Sequence, residues 1–169
     1  MSTKYTLPRE TLVRNDSISH DYLQHFAQVT YATDNTTFNI HIFSKFVVEA
    51  EQESACLSYL VQLIQQGFER VGMTNECLNI YIHLGNFSLR SVRYNFMAAT
   101  IQLFQQRYPN SLIACYLVEA PGFFKTVYEV LSKIIYPTIR KKVRFITQTE
   151  FEQTSPVPIV NFPTNRPLN

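Results

Sequence analysis

The chain has 169 residues, a hydrophobic fraction of 46% and a formal net charge of +2. This length is typical of one domain, and the apolar fraction excludes a chain that is disordered throughout. So small a net charge gives no support for nucleic-acid binding. The first residues lack the apolar core of a secretory signal, and no apolar run reaches the roughly 18 residues of a membrane span. We therefore expect a cytoplasmic protein whose contact with membranes, if any, is peripheral.

The first predicted element is a short amphipathic helix that begins at Ser17. Ser17 is a suitable N-cap, and apolar residues recur after it at helical spacing. These residues are Ile18, Tyr22, Phe26 and Val29. Residues 32–37 have the composition of a loop and separate this helix from the next element. We assign residues 1–36 to an N-terminal arm that contains the short helix.

Three runs of apolar residues predict the central strands of a sheet. Residues 37–48 begin with strict alternation of apolar and polar side chains, and residues 77–84 alternate in the same way. Residues 112–118 are apolar without alternation, which is typical of a central strand buried on both faces. Each run is followed by residues of helical periodicity, at about 52–70, 88–108 and 123–135. This order predicts an α/β fold with a mixed, mainly parallel sheet and helices packed on it.

The last part of the chain contains one more strand and a tail. Residues 143–147 are predicted to form the strand, and Thr147 with Glu150 makes a weak capping-box pattern for one short helical turn. Residues 155–169 hold four of the eight prolines and are expected to lie extended as a C-terminal tail. The three cysteines are widely spaced, and we expect them to be buried and reduced.

Motifs of the common enzyme and cofactor sites are absent from the sequence. It has no phosphate-binding glycine loop, no CxxC or HExxH metal pattern and no GxSxG nucleophile pattern. His83 and Glu119 each end a predicted strand, where they could form an acid–base pair. The favoured alternative is that both side chains only cap strand ends or bind turn amides. We predict a protein that is not an enzyme and has no cofactor or metal site.

The predicted helix at 123–135 is more apolar than a surface helix needs to be. A helix of this kind is either buried within the fold or in contact with lipid. It could be packed between two layers, or it could be a movable lid over a cavity, with a second apolar face able to enter lipid. A basic cluster follows directly, formed by Arg140, Lys141, Lys142 and Arg144. This cluster is either a solvated edge or a contact for anionic headgroups.

From the second predicted strand onward, the motifs follow a definite order. A strand is followed by G-N-F-S, a helix, Q-Q-R-Y-P-N, a strand, V-E-A-P-G-F-F, an apolar helix and P-T-I-R-K-K-V-R-F-I. This order resembles the CRAL-TRIO lipid-binding domain family. The most specific part is Tyr108-Pro109, a strand that ends at Ala120-Pro121, and the aromatic residues that open the apolar helix. The similarity is closest over residues 77–146. The family includes the yeast phosphatidylinositol-transfer protein and the retinaldehyde- and tocopherol-binding proteins.

The resemblance implies an α/β sandwich whose sheet floors a lipid pocket closed by a gate helix. Residues 37–154 would form this domain. The basic cluster would contact a headgroup or a membrane, with Lys142 at the position of a headgroup lysine. The implied partners are a hydrophobic small molecule or phospholipid and, transiently, a membrane surface. The implied pocket residues are Leu78, Ile80, Ile82, Phe123, Phe124, Val127, Leu131 and Ile134.

The sequence departs from the family pattern after Tyr108-Pro109. Phosphoinositide-binding members carry an acidic residue there, whereas this chain has Asn110, so the expected ligand is a hydrophobic molecule rather than phosphatidylinositol in particular. An alternative is a BCH-like protein-interaction scaffold with a filled or reduced pocket, because residues 140–145 also resemble the basic segment of that group. Its partner would be a protein. No nucleic acid is expected, since no further basic stripe accompanies the cluster.

Overall fold

A five-stranded sheet, in the spatial order β1-β2-β3-β4-β5, forms the centre of the protein. The structure is a computed structural model that describes residues 20–44 and 50–154. β1 pairs antiparallel with β2, and β2 to β5 are parallel. The predicted mixed, mainly parallel sheet is thereby confirmed. The strands are Ala27–Tyr31 (β1), Phe38–Phe43 (β2), Leu78–His83 (β3), Leu112–Val118 (β4) and Val143–Ile146 (β5).

Helical segments connect the parallel strands, because a parallel neighbour can be reached only by a crossover that returns the chain to the same edge. Short 3-10 turns precede two of the helices, at Ala50–Gln52 and Leu89–Ser91. The helices are α1 (His20–Phe26), α2 (Glu53–Val71), α3 (Tyr94–Arg107), α4 (Phe124–Ser132), α5 (Pro137–Arg140) and α6 (Gln148–Thr154).

Strand alternation gives the sheet two different faces. The apolar side chains of β2 and β3 share one face, where they pack with α2 and with Leu103 of α3 in one core cluster. α4 packs over Leu84, which follows β3, and over Leu117 of β4, at the carboxyl ends of these two strands. The opposite face carries Tyr81 and Val118, which contact Phe151 of α6. We call the face that packs against α2, α3 and α4 the helix face, and the opposite face, which contacts α6, the α6 face.

Close packing of α2 on the sheet depends on Gly67. A Cβ atom added at this glycine would lie 2.2 Å from Cε2 of Phe38, whose ring is fully buried. The missing side chain therefore lets the helix backbone approach the β2 ring. α2 ends at Val71 and is capped by Gly72, which has a positive φ of 84° and donates its N–H to the carbonyl of Phe68 at 2.8 Å.

The predicted N-terminal helix is wrong at its C-terminal end. α1 stops at Phe26, and the next five residues form β1, in which Val29 lies opposite Ile40. The β-branched and aromatic residues of Ala27–Tyr31 favour a strand, and pairing with β2 decides between the two periodicities. The predicted loop at 32–37 is the hairpin turn between these strands. Ser17, Ile18 and the tail 155–169 lie outside the described residues.

The predicted helix over 123–135 is shorter than expected. α4 ends at Ser132, and turn residues lead to α5, which begins at Pro137. Proline has no backbone N–H and so begins a helix more readily than it continues one. The predicted helix over 88–108 is also shortened, because its first turn is a 3-10 segment and α3 begins only at Tyr94.

The capping box at the start of α6 is confirmed. The N–H of Thr147 donates to Oε2 of Glu150 at 2.6 Å, and the N–H of Glu150 donates to Oγ1 of Thr147 at 3.1 Å. These reciprocal bonds satisfy two backbone donors that the helix itself leaves unpaired.

Candidate functional site

Two apolar cavities lie between the helix face of the sheet and helices α3 and α4. Their volumes are about 160 Å³ and about 80 Å³. An engineered apolar cavity of about 150 Å³ in another protein holds benzene, so the first cavity can enclose part of a small hydrophobic molecule. The two spaces are neighbours, because they share the lining residues Ile82, Thr100, Ile101, Cys115, Ile135 and Val143.

Five of the eight pocket residues predicted from the sequence line these cavities. On the floor, Leu78 and Ile80 line the second cavity and Ile82 lines both. On α4, Phe124 and Leu131 line the first cavity. The cavities together extend along β3 from its first residue to Leu84, and six residues of strand span about 20 Å.

The other three predicted residues are not among the described residues that line the cavities. Phe123 stacks on Phe87 with ring centroids 6.0 Å apart, and Val127 is buried in the cluster beneath α4. Ile134 is 36% exposed. Its prediction assumed that helical periodicity continues to residue 135, but α4 ends at Ser132, so the side chain of Ile134 is no longer on the inner face of the helix.

Helix α3 and the turn after α4 supply cavity walls that the sequence did not indicate. Met97 and Ile101 of α3 line the first cavity, and Ile135 lines both. The apolar rows of α3 are visible in the sequence, but their periodicity does not distinguish a wall from a filled core.

Cys115 of β4 lies where the two cavities meet. Burial raises the pKa of its thiol to about 12, yet part of the side chain is accessible. Both observations fit a side chain deep in the protein whose free surface faces an internal space rather than bulk solvent. All three cysteines are free thiols as predicted, and Cys56 and Cys77 are buried, but Cys115 is only partly buried because it faces the cavities.

Polar groups at the first cavity gather near the carboxyl ends of the strands. Ser44 follows β2, and Ser91 and Arg93 precede α3. The Nε and Nη2 atoms of Arg93 contact Oε1 of Glu53 at 2.8 and 2.7 Å. Ser44 donates its hydroxyl to the carbonyl of His83 at 2.6 Å. Among the described residues that line the two cavities, Arg93 alone carries a charge.

A buried amide fixes the turn after α4 to α3. Gln105 is 2% exposed, donates from Nε2 to the carbonyl of Ile134 at 2.8 Å and accepts the N–H of Tyr136 at Oε1 at 3.0 Å. Ile135, between these two residues, lines both cavities. The amide therefore holds a cavity wall in place.

The four cations of the basic cluster do not form one patch, and none of them is among the described residues that line the cavities. Lys142 donates from Nζ to the carbonyl of Leu112 at 2.6 Å. Arg144 lies opposite Tyr116 in the β4–β5 pair, so it projects from the α6 face. Arg140 and Lys141 are exposed at the end of α5.

Several apolar side chains around α4 and α5 are exposed. Phe145 of β5 lies on the helix face at the sheet edge and contacts Tyr128 edge-on, with ring centroids 5.3 Å apart. We call this set the apolar rim; its members and exposed fractions are Val130 (46%), Ile134 (36%), Tyr136 (46%) and Phe145 (43%).

His83 and Glu119 make separate contacts. Oε2 of Glu119 accepts the N–H of Gln148 at the start of α6, at 2.8 Å. Nε2 of His83 lies 3.1 Å from Nδ1 of His41. The carboxylate therefore binds a turn amide, as the favoured interpretation of the sequence expected.

A line of hydrogen-bonded side chains crosses the α6 face. Asn79 donates to Asn39 at 3.2 Å, Asn39 donates to Oγ1 of Thr30 at 3.2 Å, and that hydroxyl lies 3.0 Å from Nε2 of His41. His41 is 1% exposed, and burial lowers its pKa to about 3, with a smaller contribution from His83. Burial also lowers the pKa of His83 to about 4. Both rings are neutral at pH 7.

Among the helices of residues 20–44 and 50–154, none is both long enough and apolar enough to cross a bilayer.

Comparison with known proteins identifies the family. No curated protein matches this chain. A solved structure titled "Crystal structure of Sfh5" is similar with a TM-score of 0.64 and 21% sequence identity, covering 78% of this chain and 50% of that chain. This likeness supports the fold, and the chain spans half the length of that protein. A sequence profile described as the CRAL/TRIO domain matches residues 24–159. This protein therefore belongs to the CRAL/TRIO domain family, whose members generally bind or transfer lipids.

Proposed function

We propose that this protein holds a hydrophobic, lipid-like ligand in the paired cavities beneath α4 and acts without catalysis. The observation that carries the proposal is the apolar space between β3, β4, α3 and α4. Enclosing hydrocarbon there contributes about 0.8 kcal/mol per CH₂ group, so a ligand of this kind needs few polar contacts. α4 would form the lid, because its Phe124 and Leu131 are buried and line the first cavity.

Replacing Cys115 with Phe is expected to abolish ligand retention while the fold is kept. The ring would enter the space shared by both cavities, where added apolar volume fills a void instead of straining a packed core. Organic extraction and mass spectrometry of the purified proteins would measure the ligand. We expect at least a tenfold lower amount in Cys115→Phe than in the wild-type protein.

Cys115→Ala is the matched control, because it removes the thiol and leaves the cavities open. It is expected to retain the ligand. A wild-type protein that carries no hydrophobic molecule and binds no added lipid would contradict the proposed function. If Cys115→Phe and the wild type retained equal amounts of ligand, the ligand would have to bind at a site other than the two cavities.

Docking on a membrane completes the proposal. The apolar rim can enter the headgroup region beside Arg140 and Lys141, and each such cation contributes about 1 kcal/mol at an anionic surface. We expect the double variant Arg140→Glu, Lys141→Glu to lose tenfold or more in affinity for phosphatidylcholine vesicles that contain phosphatidylserine. Vesicle sedimentation would measure this loss.

The charge-matched control is Arg144→Glu with Arg107→Glu. Both residues are exposed, but Arg144 projects from the α6 face and Arg107 ends α3. This control changes the net charge by the same amount and is expected to bind vesicles much as the wild type does. Equal losses in the two double variants would show that only total charge matters, which argues against docking by the apolar rim.

A protein-interaction scaffold with a reduced pocket is the second candidate. The observation that favours it is the cavity size, since each cavity is below the roughly 300 Å³ at which ordinary ligand pockets begin. A scaffold predicts that the purified wild-type protein carries no ligand and that Cys115→Phe is silent in partner binding.

A further inference from the structure

We infer that the ion pair between Arg93 and Glu53 binds the polar end of the ligand. It favours an uncharged head group, such as an alcohol or carbonyl, over a phosphate or carboxylate. This inference rests on the proposed function and adds to it the chemical class of the ligand.

The position of the pair assigns it to the cavity mouth. Arg93 lines the first cavity, and the side chains of Arg93 and Glu53 are 33% and 26% exposed. Arg93 is therefore accessible from the cavity, and Glu53, which is not among the described lining residues, lies against its guanidinium and is partly exposed. Ser44 and Ser91 line the same end, whereas the second cavity extends toward the apolar amino ends of β3 and β4. An amphiphile would place its polar group beside Arg93 and its hydrocarbon along β3.

The chemistry of the pair favours a head that both donates and accepts hydrogen bonds. Both contacts of the pair converge on one carboxylate oxygen, Oε1 of Glu53, and come from Nε and Nη2 of Arg93. A guanidinium has five N–H donors, so further donors of Arg93 are available to a ligand oxygen. A hydroxyl can accept from Arg93 and donate to the carboxylate of Glu53.

An anionic head group is disfavoured at this ion pair. The positive charge of Arg93 is already balanced by Glu53, and a second anion at this half-buried site would be repelled by that carboxylate. Among the described residues that line the cavities, no second cation accompanies Arg93, and Lys142 is bound to the carbonyl of Leu112. A phosphate would therefore find no second positive charge among these described lining residues.

Three ligands that share one chain and differ in the head test this inference: decanol, decanoate and decyl phosphate, titrated calorimetrically below their micelle concentrations. The wild type is expected to bind decanol at least tenfold more tightly than decyl phosphate. Glu53→Gln leaves the charge of Arg93 unbalanced and is expected to shift the decanol-to-phosphate affinity ratio by at least tenfold toward the phosphate. Comparing ratios between variants cancels the different solubilities of the three ligands.

The charge-exchanged variant Glu53→Arg, Arg93→Glu is the second measurement. It keeps an ion pair but turns the carboxylate to the cavity, so its ratio is expected to stay in favour of decanol or to rise further. A ratio that changes less than about twofold in Glu53→Gln, or that falls in the exchanged variant, overturns the inference while decanol binding still supports the proposed function. Binding of none of the three ligands by any of the proteins would overturn both.

Discussion

Lowering the pH from about 7 to about 4 is expected to destabilise this protein severely, through His41 and His83. Both imidazoles are neutral in the folded protein, because burial lowers the pKa of His41 to about 3 and that of His83 to about 4. In the unfolded chain each would titrate near the ordinary value of 6.5. Between these values the unfolded chain takes up protons that the folded protein does not.

The sign of the effect follows from this difference. The stability contributed by the neutral rings is complete above pH 6.5 and is lost as the pH falls toward the folded-state pKa values. Each tenfold change in proton affinity corresponds to about 1.4 kcal/mol, so the two groups together remove on the order of 5 kcal/mol by about pH 4. Loss on this scale is comparable with the whole stability of a small domain, about 5–15 kcal/mol.

Urea unfolding at a series of pH values would measure this dependence. His41→Gln is expected to flatten the profile, because an amide can bond Thr30 and His83 without titrating. The control is His25→Gln, which makes the same substitution at an exposed position on α1. A wild-type stability that stays constant between about pH 6.5 and about pH 4 would contradict the buried neutral pair.

Gly67→Ala is expected to destabilise the protein by about 2 kcal/mol, because overpacking costs up to about 3 kcal/mol and the better helix propensity of alanine offsets only about 1 kcal/mol of this cost. The new methyl group would lie 2.2 Å from a carbon of the Phe38 ring, so either the ring or α2 must move. Phe38 is fully buried and contacts Phe68 edge-on at 5.3 Å, which leaves the ring little space for movement. Thermal and denaturant unfolding would measure the loss.

Gly122→Ala is the matched control, because a Cβ atom there would have no neighbour within 4 Å. It is expected to change stability little. Combining Gly67→Ala with Phe38→Leu should recover part of the loss from the glycine substitution, since the smaller side chain removes the overlap. If Gly67→Ala proved neutral or stabilising, the close approach of α2 to β2 would be refuted.

The sequence predicted the sheet well because its apolar residues either alternate with polar ones or form an unbroken run, and both patterns are typical of strands. β4 occupies residues 112–118 as predicted, β3 begins and ends within one residue of its predicted run, and β2 begins at Phe38, while residues 45–48 of its predicted run lie outside the described residues. β1 was missed because Tyr22, Phe26 and Val29 also fit a helical spacing, and only pairing with β2 makes the last of them a strand residue. That pairing is a tertiary contact, which local periodicity does not contain.

The candidate site was predicted in part for a related reason. Ile82 and Leu131 could be assigned to the floor and lid because the family resemblance gave those elements a role. A cavity, however, is volume that side chains fail to fill, and its walls include α3 residues whose pattern is that of any core helix. The contact between Arg93 and Glu53 joins residues 40 positions apart, so no local sequence motif indicates it.

The amide of Gln105 has a consequence for how long a ligand would stay. Lifting the turn at Ile134–Tyr136 breaks both of its hydrogen bonds at once, and each contributes about 0.5–1.5 kcal/mol. Together they favour the closed arrangement by a factor of about 5–150. Ile135 lies between the two bonds, so opening of this turn would lower the barrier for a ligand to leave, and the two bonds oppose that opening. The dissociation rate would therefore be lowered by about the same factor, while the contacts of the ligand in the closed cavity stay unchanged. A single side chain on α3 would thus control how fast a ligand is released.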